Sequence, residues 1–260
     1  STSYPGVTRP VSEGGLGFDY KWDMGWMNDT LDYFRTAPEY RPANYHKLTF
    51  SMMYYYNDAF LLPFSHDEVV HGKATIMQKM NGDYDEKFPQ ARALYMYMYA
   101  HPGKKLNFMG NELGQLREWD EKREQDWDIL TYPVHDAFHR FVRDLNLLYL
   151  KHPALYQKDY DTDGFTWIDC HQEERCIYTF ERIADKERIL AVFNLSGQIQ
   201  EDYELTVEGA DTLTLLLASD DENYAGTKKY TADDKKIKLK EHQTILTLGA
   251  YTAVYYQIGI

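Results

Sequence analysis

The chain has 260 residues and carries 28 Lys and Arg against 41 Asp and Glu, a formal charge of −13, with 43% hydrophobic and 15% aromatic residues. The apolar fraction excludes a disordered chain, and the longest apolar runs, such as Ala59 to Phe64, are far too short to cross a bilayer. The acidic balance argues against nucleic acid and against an anionic membrane surface, both of which need a basic face.

In chain order, Leu16 to Trp22 reads as a strand, and Asp23 to Phe34 as a helix stopped before Pro38. Leu48 to Tyr56 is a second helical stretch. Ala59 to Phe64 is apolar without alternation, the pattern of a strand covered on both faces in a parallel sheet, with Pro63 tolerable only at its end. Phe88 to Ala100 is helical and very aromatic, and its Tyr95-Met96-Tyr97-Met98-Tyr99 stripe reads as core and interface packing. His101-Pro102-Gly103 stops it. Lys104 to Met109 is a short strand broken by Gly110. A helix opening at Pro133 then places Phe138, Phe141, Val142, Leu145, Leu148 and Tyr149 on one stripe.

Strand and helix therefore alternate three times, which predicts a parallel sheet with crossover helices. Beyond about residue 155 the helical period vanishes. Phe165–Cys170, Cys176–Arg182, Ile189–Asn194, Leu213–Leu217, Thr244–Leu248 and Thr252–Gln257 read as short strands of an antiparallel β-sandwich, and the mixed-sign stretch Lys228 to Lys240 as a solvated hairpin. The expected domains are 1–155, α/β, and 156–260, all-β. Two cysteines, Cys170 and Cys176, make neither a disulfide framework nor a zinc pattern, so a reducing, cytoplasmic setting is expected. Ser1 to Pro10 has no apolar signal-peptide core and the chain has no initiator Met, so it is expected to be a piece of a longer protein.

Ser65-His66-Asp67-Glu68-Val69-Val70-His71 follows the apolar strand directly, at the carboxyl end where ligands gather in parallel α/β folds. Two acids and two histidines there suit a functional site; they equally suit a turn in which His66 and Asp67 cap the next segment and Glu68 is solvated. A zinc-protease motif is excluded, because His66 and His71 are five apart and fall on different helical faces. Asn111 and Glu112 hold the same position after the next strand, and a loop rich in Trp and acids follows, Arg117-Glu118-Trp119-Asp120 and Gln125-Asp126-Trp127-Asp128. Flat aromatics beside hydrogen-bonding groups suit sugars, and a packed loop around a buried Trp gives the same composition. Neither a Walker A motif, a GxGxxG fingerprint nor a nucleophile elbow occurs.

Phe64-Ser65-His66-Asp67-Glu68-Val69-Val70-His71-Gly72-Lys73 closely resembles the fourth signature region of glycogen branching enzymes, in the α-amylase family of glycoside hydrolases. Gly14 to Trp22 resembles that family's sixth barrel strand, and Lys105 to Glu112 with Arg117-Glu118-Trp119 its eighth strand and following loop. The resemblance covers nearly the whole chain and is weakest across Glu201 to Lys240. It implies the C-terminal portion, about strands 6 to 8, of a (β/α)8 barrel followed by the all-β domain. It also implies cleavage of an α-1,4 linkage with retention and transfer of the chain to a 6-hydroxyl.

By position, Asp67 resembles the third family carboxylate, which stabilises the oxocarbenium-like state, and His66 its hydrogen-bonding partner. Glu68, Asn111, Glu112 and Trp119 are the expected glucan-binding residues. The resemblance implies an α-glucan partner and no cofactor or metal. It places the nucleophile and the acid/base carboxylate before Ser1, with Ser1-Thr2 similar to the tail of the third signature region, so the chain alone is expected to be inactive. Three barrel strands would leave two open edges, from which self-association, rearrangement or aggregation is expected. A trehalose-forming or other family hydrolase shares the His-Asp pair, and a non-catalytic glucan-binding piece is the alternative of another class.

Overall fold

The computed structural model describes residues 3–228 and 236–260. Ser1-Thr2, and residues 229–235 of the hairpin expected over Lys228 to Lys240, lie outside them. The first part runs β1 (Lys21–Trp22), α1 (Met24–Arg35), β2 (Phe60–Phe64), α2 (Ile76–Lys79), α3 (Tyr84–Ala100), β3 (Lys104–Asn107) and α4 (Pro133–Lys151), with several 3-10 turns between. The three strands form one parallel sheet in the order β1-β2-β3, with Lys21 opposite Phe60 and Leu62 opposite Lys105. β1 and β3 are therefore its edges, and β2 is the central strand.

Pro63 sits in this central strand without breaking a ladder. In a parallel strand alternate residues turn their peptide groups to the same neighbour. Ala59 and Leu61 turn their carbonyls to Lys21 and Asp23. Pro63 shares their parity, and at its level the chain of β1 has already entered α1, so its missing N–H has no partner to lose.

Two expected elements differ. The strand expected over Leu16 to Trp22 is limited to Lys21–Trp22. The backbone before it is spent on the preceding loop, with the Gly17 amide on the Arg9 carbonyl at 2.9 Å and the Phe18 amide on Val7 at 3.2 Å. Leu48 to Tyr56 forms 3-10 turns, Phe50–Met53 and Tyr55–Asn57. There the amides of Met52, Tyr54 and Asn57 reach back three residues, and burial of Tyr55 sets the path.

The second part holds β4 (Phe165–Gln172), β5 (Ile177–Ala184), β6 (Glu187–Asn194), β7 (Gln200–Thr206), β8 (Thr212–Ala218), β9 (Lys236–Lys238), β10 (Gln243–Leu248) and β11 (Thr252–Gly259). Six of these form one antiparallel-paired sheet in the order β4-β5-β6-β11-β8-β9, and β7 and β10 pair as a second. A core of Ile177, Val192, Tyr203, Leu205, Leu246 and Val254 fills the space between the two sheets. The other face of the large sheet belongs to a second core, shared with the first part through Phe180, Phe193, Tyr178 and Tyr255.

The element between the two parts is α3. Every residue from Gln90 to Ala100 is buried, as a helix covered on all sides requires. Its polar groups are consequently bonded. Tyr97 donates to the Leu48 carbonyl at 2.7 Å, Tyr99 to Asn146 at 2.7 Å, and Arg92 to the Ser219 carbonyl at 2.5 Å. Two further buried arginines join the parts. Arg182 of β5 donates to the Ala100 carbonyl at the end of α3 (2.7 Å) and to Asp159 (2.8 Å). Arg41 donates to the Leu195 carbonyl at 2.7 Å and rests against the rings of Tyr33, Phe34 and Tyr251.

Arg182→Ala should leave Asp159 buried with only Lys104 as its cationic hydrogen-bonding partner. The expected cost is about 3–5 kcal/mol, read as a lowered urea midpoint. Burial also raises the phenols of Tyr33, Tyr95, Tyr178 and Tyr255 well above their ordinary range. In the unfolded chain these phenols ionise near pH 10; in the fold they stay protonated. Their contribution is intact below pH 10 and is lost above it, at about 1.4 kcal/mol per pH unit for each phenol. Urea midpoints should fall steeply above pH 10, and tyrosinate absorbance should appear together with unfolding.

Candidate glucan site

The chain leaves β2 through a turn that its own sequence builds. Ser65 precedes a 3-10 turn, His66–Val69, and Glu68 closes a capping box on it. One Glu68 oxygen accepts from both the amide and the hydroxyl of Ser65, each at 2.6 Å, while the Ser65 hydroxyl oxygen accepts the Asp67 amide at 3.2 Å. A box of this kind contributes about 0.5–2 kcal/mol. Glu68, expected on the glucan, is thus 6% exposed and lies under the turn.

The turn pushes its other two polar side chains outward. His66 is 48% and Asp67 59% exposed, with Nε2 and Oδ1 at 3.3 Å. Trp119 arrives from the loop after β3, its amide bonded to the Val69 carbonyl at 3.0 Å. Its ring meets Phe108 edge-on at 5.2 Å and the His66 imidazole at 6.2 Å. Beside this trio is a cleft of about 470 Å³ lined by His66, Val70, His71, Arg117, Glu118 and Trp119 among others. Asp67 adjoins it through His66. A forked ion pair, Arg117 to Asp126 with N–O distances of 2.6 to 3.1 Å, closes the loop that walls it.

The remaining expected residues fall elsewhere. Asn111 is 4% exposed, and its amide nitrogen reaches the Phe64 carbonyl at 3.4 Å and Asn107 at 3.2 Å. It ties the carboxyl ends of β2 and β3 together from beneath. Glu112 accepts from the Gly110 amide at 2.8 Å and lines a different cleft, of about 590 Å³, beside β3 and α4. Gly110 itself has φ +92°, and a Cβ there would come within 2.5 Å of the Gln115 and Gln125 side chains, so only glycine fits between β3 and this turn. The structure therefore brings His66 and Trp119 to one cleft with Asp67 beside His66, and sets Glu68, Asn111 and Glu112 apart from it.

Glu118 and Lys79, absent from the expected set, hold the segment after the turn. His71, Gly72 and Ala74 all have positive φ, at 57°, 79° and 66°, which for the two non-glycine residues costs about 1–2 kcal/mol each. Glu118 accepts the Gly72 amide at 2.9 Å and the Ala74 amide at 2.7 Å. These two donors hold its carboxyl below the usual carboxylate range. Lys79 donates to the carbonyls of Glu68 and Ala74, and burial lowers its ammonium to about 8. Among the described residues, no group of three His, Cys, Asp or Glu side chains is placed to hold a metal ion, and no helix is long and apolar enough to cross a membrane. Cys170 and Cys176 are both free.

Comparison with known proteins bears on the C-terminal domain and on the fold. Residues 167–259 match the family described as the alpha amylase C-terminal all-beta domain. The solved structure of an Anoxybacillus α-amylase superposes with a TM-score of 0.56 at 17% identity, over 97% of this chain and 50% of that one, and so shares its fold. By fold and domain the chain is of the α-amylase type.

Its sequence places it among the 1,4-alpha-glucan branching enzymes of that family. It is 45% identical to the enzyme GlgB of Bacillus cereus strain G9842 over the whole of this chain and 40% of that protein. The GlgB of Bacillus anthracis strain CDC 684 is also 45% identical, over 87% of this chain and 36% of that protein. The chain thus spans about two fifths of the length of these relatives.

Glu68→Ala should remove the acceptor of both Ser65 donors. A loss of about 1–2 kcal/mol in urea unfolding is expected, with amide exchange at Ser65 and Asp67 rising more than elsewhere.

Proposed function

We propose that these residues are the sugar-binding wall of a branching-enzyme active site, and that the three parallel strands belong to a (β/α)8 barrel completed by the part of the relatives that this chain does not span. The carrying observation is the exposed His66–Asp67 pair at the carboxyl end of the central strand, beside the Trp119 ring. An α-glucan lays the CH face of a glucose on an aromatic ring and offers hydroxyls to a carboxylate and an imidazole. In this reading Asp67 holds hydroxyls of the sugar that flattens toward an oxocarbenium-like state, and its negative charge favours the positive charge developing there. His66 donates to the same sugar. Glu68 and Asn111 act on the backbone beneath, and Glu112 faces the open side of β3.

The whole protein, so read, cleaves an α-1,4 linkage with retention and passes the chain to a 6-hydroxyl. Such chemistry needs a nucleophilic and an acid/base carboxylate close together. The family pattern maps one catalytic carboxylate onto these 260 residues, Asp67, which can orient a sugar but neither attack nor protonate it. No cofactor or metal enters such a transfer. β1 and β3 are the edge strands of the sheet, and edge strands favour pairing, here with the rest of the barrel or with another copy. Two free thiols fit a reducing compartment such as the cytoplasm.

Incubation of the purified chain with amylose should leave iodine staining at the level of a blank; a clear loss of stain would show that it holds a complete catalytic set. Trp119→Ala should weaken retention on glycogen by about tenfold, equivalent to ~1.4 kcal/mol. Equal retention of the variant and the parent chain would remove the tryptophan from the site.

A further inference from the structure

We propose that Glu118 is a positioning residue for Asp67, acting through Lys73. The role rests on the reading of Asp67 as a glucan-facing carboxylate and adds a residue that reaches it from the opposite loop. One oxygen of Glu118 takes the amide of Gly72 and the other the amide of Ala74, at 2.9 and 2.7 Å. The residue between those two amides is Lys73, whose Nζ donates to the main-chain carbonyl of Asp67 at 2.8 Å. The carboxylate thus fixes the base of a side chain whose far end grips the turn carrying the acid.

Within the segment the Lys73 amide closes a turn on the Val70 carbonyl at 3.2 Å, whereas the Gly72 and Ala74 amides find their acceptor in Glu118. Three of the four residues His71 to Ala74 lie in the left-handed region, where side chains are disfavoured, and Lys73 is exposed. A free lysine has many rotamers to lose before it can hold one carbonyl. Two amides converging on one anion fix the backbone on either side of Lys73, and so the point and direction from which its side chain starts. On the other side of the segment, the Lys79 ammonium takes the Ala74 carbonyl, so the Ala74 peptide groups are held from both directions. The cationic or protonatable groups acting on Glu118 are Lys79 and His71. Both favour the ionised form that accepts two bonds.

The test compares the 260-residue chain with Glu118→Gln, Lys73→Met and the double variant. Three quantities are read: amide exchange at Gly72 and Ala74, the Glu68 amide resonance that reports the Asp67 carbonyl, and the dissociation constant for maltoheptaose. Glu118→Gln should speed exchange at Gly72 and Ala74 at least tenfold, with the global melting midpoint unchanged. Lys73→Met should leave that exchange alone. Both should move the Glu68 resonance to the same new position and weaken maltoheptaose binding about fivefold. The double variant should bind no more weakly than the worse single one, because the two residues form one path.

Unchanged exchange in Glu118→Gln, or Glu68 shifts that differ between the variants, overturns the role. Multiplying affinity losses do so too, since they would mean that Glu118 touches the sugar directly. Lys73 is on the surface, so Lys73→Met tests the second link even if Glu118→Gln does not fold; an unmoved Glu68 resonance there refutes it. A chain that binds no maltoheptaose yet shows coincident shifts supports the positioning role and refutes the glucan reading.

Discussion

Helix α3 cannot face water on any side, and the rest of the molecule is arranged around that constraint. From Gln90 to Ala100 each residue is buried, including Arg92 and three tyrosines. One side of the helix meets the parallel sheet, where Tyr95 packs on Phe64 of β2. The other meets the large antiparallel sheet, where Tyr255 of β11 donates to the Met96 carbonyl. Removing either sheet would expose a helix whose tyrosines and arginine are bonded to specific carbonyls and amides. The all-β part is therefore the cover of α3 as much as a domain in its own right, and buried Arg182 and Arg41 fasten the cover by main-chain carbonyls. A strand held this rigidly from behind is a suitable base for a site at its carboxyl end.

At that end the molecule uses backbone groups more than side-chain pairs. Glu68 accepts from Ser65, Glu118 from Gly72 and Ala74, Asn111 donates to Phe64, and Lys73 and Lys79 donate to carbonyls of the turn. Each polar side chain spent below the turn leaves His66 and Asp67 with nothing to do but face outward. The cleft beside them has one aromatic wall, Trp119 against Phe108, and one charged wall closed by Arg117 and Asp126. An apolar ring beside fixed polar groups is the feature on which the proposed glucan reading rests.

Much of this frame is legible in the sequence. The unalternating run at Ala59 to Phe64, the amphipathic stripe from Phe138 to Tyr149 and the β-branched runs after Phe165 correspond to β2, α4 and the antiparallel strands. The aromatic stripe at Tyr95 to Tyr99 is buried packing, as its composition implies. What escapes is what depends on distant partners. β7 (Gln200–Thr206) alternates exposed acids with buried Tyr203 and Leu205, a weak signal until β10 pairs with it. The role of Glu118 rests on amides more than forty residues away. The role of Glu68 could have been found, since Ser65-His66-Asp67-Glu68 has the spacing of a capping box. Glu112 is separated from Asp67 because the turn after Gly110 sets it in the cleft beside α4, a direction that position in a motif does not reveal.

The most direct test of the account is the set of backbone amide resonances that move when maltotetraose is titrated into the chain. Binding at the carboxyl end of β2 should shift His66, Asp67, Val70 and Trp119 and leave the β7–β10 sheet unmoved. Shifts confined to the cleft beside Lys105 and Tyr149, or to the antiparallel sheets, with His66 to Val70 unchanged, would contradict it.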